Sequence, residues 1–182
     1  MLTRRTLIQA AIAGAILAGL AGYSTAARWY AAWLDEYGPG WKSMAWPFER
    51  DAFPPGRAWR NGDIEVYVRP KLGACSNCDA GVTTDSELDQ VSDVGLLDRH
   101  FEPQGDGRRI RITDLVGRAR LYRISRDGKA ILVEGIAVSL NCDLVVAMVV
   151  GKIEDEAARK EARLFVESNA VQVWLNGILE GR

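Results

Sequence analysis

The feature that most constrains this chain lies at its start. After Met1-Leu2-Thr3-Arg4-Arg5 an apolar run extends from Thr6 to Ala27. At about 20 residues it has the length a helix needs to cross a bilayer. Two arginines precede it and none lies within it, the asymmetry that keeps an N-terminus in the cytoplasm. The run has no polar face, which argues against a cytosolic amphipathic helix. The expectation is a single-pass protein of a bacterial inner membrane with its C-terminal domain in the periplasm.

The remainder is of one-domain size. The chain has 182 residues and a formal net charge of −1, so nothing suggests nucleic acid as a partner. The charge is unevenly spread. Residues 1–34 contain no acid, and beyond Arg5 there are 21 Lys and Arg against 24 Asp and Glu. With the leader discounted, enough residues remain for a core without disulfide stapling.

Thr3-Arg4-Arg5-Thr6-Leu7-Ile8 resembles a bacterial twin-arginine export signal, in which Ser or Thr, two arginines and any residue precede two apolar positions. Leu7 and Ile8 fill those positions, where Phe is commoner at the first, and Gln9 stands where Lys is frequent. The Ala/Gly-rich run and Arg28 behind it are also similar to that class. The resemblance covers about residues 1–28 and implies export of an already folded domain. A Sec signal, or a plain signal-anchor with two arginines, is the alternative. Ser24-Thr25-Ala26 allows cleavage after Ala26. Helix formers continue through Arg28-Trp29-Tyr30-Ala31-Ala32-Trp33-Leu34, however, and Trp29, Tyr30 and Trp33 suit an interfacial aromatic belt, so an uncleaved anchor over 1–37 is favoured.

Within the run, Ala10, Gly14, Ala18, Gly22 and Ala26 recur every four residues, with Ala11, Ala15 and Gly19 beside them. Small residues on one helix face let backbones approach in lipid, so docking on another transmembrane helix is one reading and mere composition the other. From Trp29 to Trp59 the chain holds five of its six tryptophans and four of its six prolines. Such a stretch cannot form one long element, and it is too apolar for a solvated linker. Residues 38–60 are therefore expected to lie on the domain, the headgroups or a partner subunit, with Trp41 and Trp46 at that surface.

The domain is expected over 61–182. Ile64 to Val68 alternates as a strand up to Pro70, and Thr84-Asp85-Ser86-Glu87 fits a capping box opening a helix that turns Leu88, Val91 and Val94 inward. Pro103 to Gly107 reads as a loop. Strands follow at Arg109–Ile112, Arg118–Ile124, Ala130–Val138 and the fully apolar Leu144–Val150, with Asp127-Gly128 as a hairpin turn. Glu154 to Glu180 reads as one long helix covering one face. The expected fold is α+β: a transmembrane helix, then a small antiparallel sheet under a long C-terminal helix.

The chemistry is sparse. Cys75-Ser76-Asn77-Cys78 is a C-x-x-C pair, followed by Asp79 where c-type haem attachment needs His. Cys75, Cys78, Cys142 and the single histidine, His100, could form a Cys3His metal site, but their spacing is not diagnostic; a structural disulfide is preferred. Gln90 and Leu96 occupy the Gly and Glu positions of a calcium loop, and neither a nucleophile elbow nor a phosphate-binding glycine loop is present. Arg109 with Arg111, and Arg118 with Arg120, share strand faces, giving either a basic ladder for an anionic partner or a solvent face neutralised by nearby acids. The expectation is a non-catalytic, membrane-anchored accessory subunit or assembly factor without a cofactor. It would contact other membrane-protein subunits and the bilayer. The alternative is a periplasmic thiol-redox or metal-handling protein.

Overall fold

The computed structural model describes residues 40–74 and 81–179. These belong to a compact unit that begins at Gly40. The expected spanning segment 1–37 and its small-residue face lie outside the described residues.

Seven strands form one antiparallel sheet: β1 (Lys42–Met44), β2 (Arg57–Asn61), β3 (Ile64–Lys71), β4 (Glu102–Ile112), β5 (Leu115–Arg126), β6 (Lys129–Leu140) and β7 (Asp143–Val150). Their spatial order is β1-β2-β3-β7-β6-β5-β4. Two meanders, β1 to β3 and β4 to β7, meet where β3 pairs with β7, in register from Glu65 opposite Val150 to Lys71 opposite Leu144. Tight turns set the registers. Asp127 and Gly128 both have positive φ, as the Arg126 to Lys129 hairpin requires. Gly62, with φ +56°, turns β2 into β3.

Both faces of the sheet are covered, which explains why β7, the middle strand, is apolar at successive positions rather than at alternate ones. On one face Trp59, Val66, Val68, Ile136, Val145 and Val149 pack beneath two C-terminal helices, α3 (Glu156–Val166) and α4 (Asn169–Leu179). On the other, Tyr67, Tyr122, Ile124 and Met148 pack against Met44, Trp46 and Phe48 and against Val94 of α2 (Val94–Leu97). Leu88 of α1 (Asp85–Val91) seats on Ala137, Leu144 and Val146. The Thr84 capping box that opens α1 is complete: the Glu87 amide donates to Thr84 Oγ1 at 3.2 Å and the Thr84 amide to Glu87 Oε2 at 2.8 Å.

The expected fold needs correction on several points. One long C-terminal helix is replaced by two helices of 11 residues each. Glu167-Ser168 interrupts it: the Ser168 carbonyl accepts from the Val171 and Gln172 amides, and Gln172 Nε2 donates back to the Val166 carbonyl at 2.9 Å. The Ser168 carbonyl thus starts the hydrogen-bond ladder of a new helix, and the stop is local. The transmembrane helix and the single-pass inner-membrane placement are not supported. Among the described residues no helix is long and apolar enough to cross a membrane. The loop read over Pro103–Gly107 is instead the first half of β4, whose register to β5 shifts between Gln104 and Arg108. Of the three places expected for residues 38–60, those described take the one on the domain, supplying β1 and most of β2. Finally, β3 continues through Pro70; β2 pairs only as far as Val68, so Pro70 sits where one side of β3 carries no strand.

Candidate functional site

The arginines of β5 meet carboxylates of α1 in register. Arg118, Arg120 and Tyr122 alternate onto one face. Asp85 accepts from Arg118, and Asp89 accepts from Arg120 at 2.9 Å and from the Tyr122 hydroxyl at 2.7 Å. The match is geometric: four helical residues rise about 6 Å, close to the spacing of two strand residues. The Arg118 hydrogen bond first, and then the Gly107 amide, hold the Asp85 carboxyl below its usual range. Burial first, and then the bond to Asp89, push the Tyr122 hydroxyl well up. The same side chains also bind the β4 bulge. Asp85 accepts from the Gly107 amide, Arg118 donates to the Gly107 carbonyl at 3.0 Å and Arg120 to the Gly105 carbonyl at 2.9 Å.

Beneath α3 the core holds a charge. Glu134 of β6 is buried and accepts from Arg163 at 2.9 and 3.0 Å and from Arg108 at 2.8 Å. Glu156, at the start of α3, takes the remaining guanidinium groups of Arg108, Arg159 and Arg163. Burial alone would raise the Glu156 carboxyl; bonds from Arg163, Arg159 and Arg108 override it and bring it to about 2. Arg108, Glu134, Glu156 and Arg159 line a cleft of about 200 Å³.

Two further buried clusters are tied off in the same way. Arg69 is bidentate to Asp93 at 2.8 and 2.6 Å and reaches Asp51 at 2.7 Å, with Lys71 on Asp93 at 2.8 Å. This holds the 45–53 stretch and α2 onto β3. Glu65 accepts from the Tyr67 hydroxyl at 2.7 Å and from Arg126 at 2.8 Å, and burial followed by that carboxylate raises Tyr67 to about 12. Each buried acid is thus matched to a fixed cation, the arrangement a buried charge needs to be tolerated.

The sequence-predicted residues are scattered. Trp41 is 5% exposed and stacks on Phe165 with ring centroids 4.2 Å apart. Trp46 meets Tyr67 edge-on at 6.2 Å. Both rings are used within the domain. Ala10, Gly14, Ala18, Gly22, Trp29, Tyr30, Trp33, Cys75 and Cys78 lie outside the described residues. Cys142 is disulfide-bonded. His100 is solvent-exposed, 3.8 Å from Asp98, in a groove shared with Arg123, Ser125 and Ala130. That groove is at the start of β6 and Cys142 follows its end, so the strand separates them by roughly 30 Å. No single ion can be shared between them. Among the described residues no group of three or more His, Cys, Asp or Glu side chains could hold a metal.

Sequence reasoning missed the Glu134 cluster. Its one signal was Glu134 itself, a carboxylate in the apolar run from Ile131 to Val138. The domain thus defined is an antiparallel sheet covered on both faces and stitched by internal ion pairs. No family model matches the chain, and no curated protein does either. Among solved structures it is similar to the solution structure of cyanobacterial PsbP (CyanoP) from Synechocystis sp. PCC 6803. The TM-score is 0.46 and the identity 12%, over 74% of this chain and 82% of that chain. A likeness at that level supports no inference about this chain.

Proposed function

We propose that the chain is an exported, non-catalytic accessory subunit or assembly factor of a larger membrane-protein complex, working through protein–protein contact. The observation that carries this reading is the outer face of α4. That helix, Asn169–Leu179, has no charged residue; Asn169, Gln172 and Asn176 are its only polar side chains. It buries Val171 and Leu175, yet leaves Val173 68% exposed, and Leu164 of α3 is 56% exposed. Its outer side sets Val173 between the exposed but uncharged Asn169 and Asn176, and the centre of a protein interface is likewise poor in charge.

The clefts support the same reading. Those described measure about 200 to 300 Å³, at or below the lower end for ligand pockets, and in the smallest of them Arg108 is committed to Glu134 and Glu156, and Arg159 to Glu156. Export is supported by the resemblance at Thr3-Arg4-Arg5-Thr6-Leu7-Ile8 and by the Cys142 disulfide, a bond that persists in oxidising compartments. Within this proposal Cys142 pairs with Cys75 or Cys78 and has a structural role.

The test is affinity purification of the full-length chain in mild detergent with mass spectrometry, alongside Val173→Asp and Leu164→Asp. The expected result is a partner at fixed stoichiometry that is lost from the variants while their unfolding midpoints stay unchanged. Recovery of the intact chain alone would overturn the reading.

A further inference from the structure

The open edge of β4 divides into two unlike halves. In the bulge, backbone groups of Gly105 and Gly107 are taken up by Arg120, Arg118 and Asp85. From Arg108 to Ile112 the strand runs regularly against Ala119 to Leu115. Ile112 and Leu115 close a two-residue turn, which makes them a hydrogen-bonded pair; Ile110 with Gly117 and Arg108 with Ala119 follow by alternation. Arg109 and Arg111 therefore aim their amides and carbonyls away from β5, where the sheet has no further strand among the described residues. Among the described residues no side chain bonds those groups.

The side chains over this stretch are equally asymmetric. Arg109 and Arg111 share the face on which Arg118 lies directly opposite Arg109. Like charges so placed repel. Arg118 is neutralised by Asp85, but among the described residues neither Arg109 nor Arg111 makes an ion pair, although Asp106 and Asp114 are close in sequence. Both arginines are exposed, and Arg109 borders a groove of about 240 Å³ with Thr83, Val116 and Arg118. On the opposite face Ile110 is half-buried against the core.

We propose that Arg109–Arg111 pairs with an extended segment of a partner protein, added as a strand to β4 and patterned acidic, apolar, acidic. The partner backbone engages the outward groups of Arg109 and Arg111. Its two carboxylates face the two arginines, and its apolar residue packs beside Ile110, as alternation along a strand requires. The inference rests on the reading of the chain as a protein-binding subunit and specifies one surface and its ligand. The competing role for these arginines is to guard the edge against aggregation, in which case no ligand pairs there.

The full-length protein is titrated with a short blocked peptide of alternating Glu and Val. Two controls accompany it: the same peptide with Lys for Glu, and one N-methylated at alternate backbone nitrogens. The expected result is that only the unmodified Glu peptide binds, with hydrogen-exchange protection rising at the Arg109 and Arg111 amides. In the double variant Arg109→Glu/Arg111→Glu its affinity falls by about tenfold or more and the Lys peptide gains. Equal binding of the N-methylated peptide, protection elsewhere, or no binding overturns the proposal in favour of edge guarding. If no peptide binds while the chain still co-purifies with its partner, edge pairing falls and the accessory reading stands. If the peptide binds but the chain is recovered alone, the reverse holds.

Discussion

The Arg163 guanidinium sits 2.9 and 3.0 Å from the two carboxylate oxygens of Glu134, locking α3 to the sheet through a charge pair beneath the helix. Removing one member leaves the other, itself largely buried, short of a partner. Glu134→Gln or Arg163→Met is expected to cost about 3 kcal/mol in denaturant unfolding, while the double change Glu134→Leu/Arg163→Met recovers much of the loss. A double-mutant cycle returning no coupling between the two would contradict this.

Glu156 and Asp85 link stability to pH. The Glu156 carboxyl stands at about 2 in the folded chain against an ordinary 4.5, and Asp85 is also depressed. A depressed acid stabilises the fold fully above its unfolded value, and that contribution disappears as pH falls through the folded one. Stability should therefore be level above pH 4.5 and decline towards pH 2. Because Glu156 is half-exposed, the decline should weaken with added salt. Glu156→Gln should flatten the curve in that window, measured as unfolding midpoint against pH.

Gly117 and Gly62 separate two demands on glycine. A Cβ at Gly117 would run into the Ala137 carbonyl and the Val138 backbone, so Gly117→Ala should cost roughly 2–4 kcal/mol. At Gly62 nothing lies within 4 Å, and only the positive φ resists, so Gly62→Ala should cost about 1 kcal/mol. Thermal unfolding of the two variants should rank them in that order.

The Thr84 cap gives a local test. Thr84→Ala removes the acceptor for the Glu87 amide and should cost about 1 kcal/mol. Faster exchange at the Glu87 amide than at the amides of α3 would locate the loss; uniform change across both helices would argue against it.

The cysteines give a stoichiometric one. With three cysteines in the chain and Cys142 disulfide-bonded, the denatured, non-reduced protein should react with one thiol equivalent per chain. Three equivalents would remove the disulfide from the account. Under reductant the unfolding midpoint should fall.

Much of the sheet could be read in the chain because its signals are short-range. The Asp127-Gly128 turn, the Thr84 capping box and the unbroken apolar run of β7 each depend on neighbours a few residues away. The break between α3 and α4 had a local signal too, in Ser168 and Asn169, but the apolar pattern running on through Val171 and Trp174 outweighed it. β1, β2 and the first half of β4 were not legible. Proline, tryptophan and glycine there obscure any period, and strand pairing with distant partners supplies what local propensity does not.

By itself the sequence determined the alternation that assigns side chains to the two faces of the sheet, the turns that set hairpin registers, and the acidic spacing of Asp85 and Asp89. Tertiary structure alone decided which charges meet. Asp89 lies 31 residues from Arg120, Glu134 lies 29 from Arg163 and Arg69 lies 24 from Asp93. Arginine sequence patterns carry no information about which carboxylate folding will bring within 3 Å, because that depends on strand order and on which face each helix covers. The same closure that neutralised Arg118 and Arg120 left Arg109 and Arg111 at an open edge.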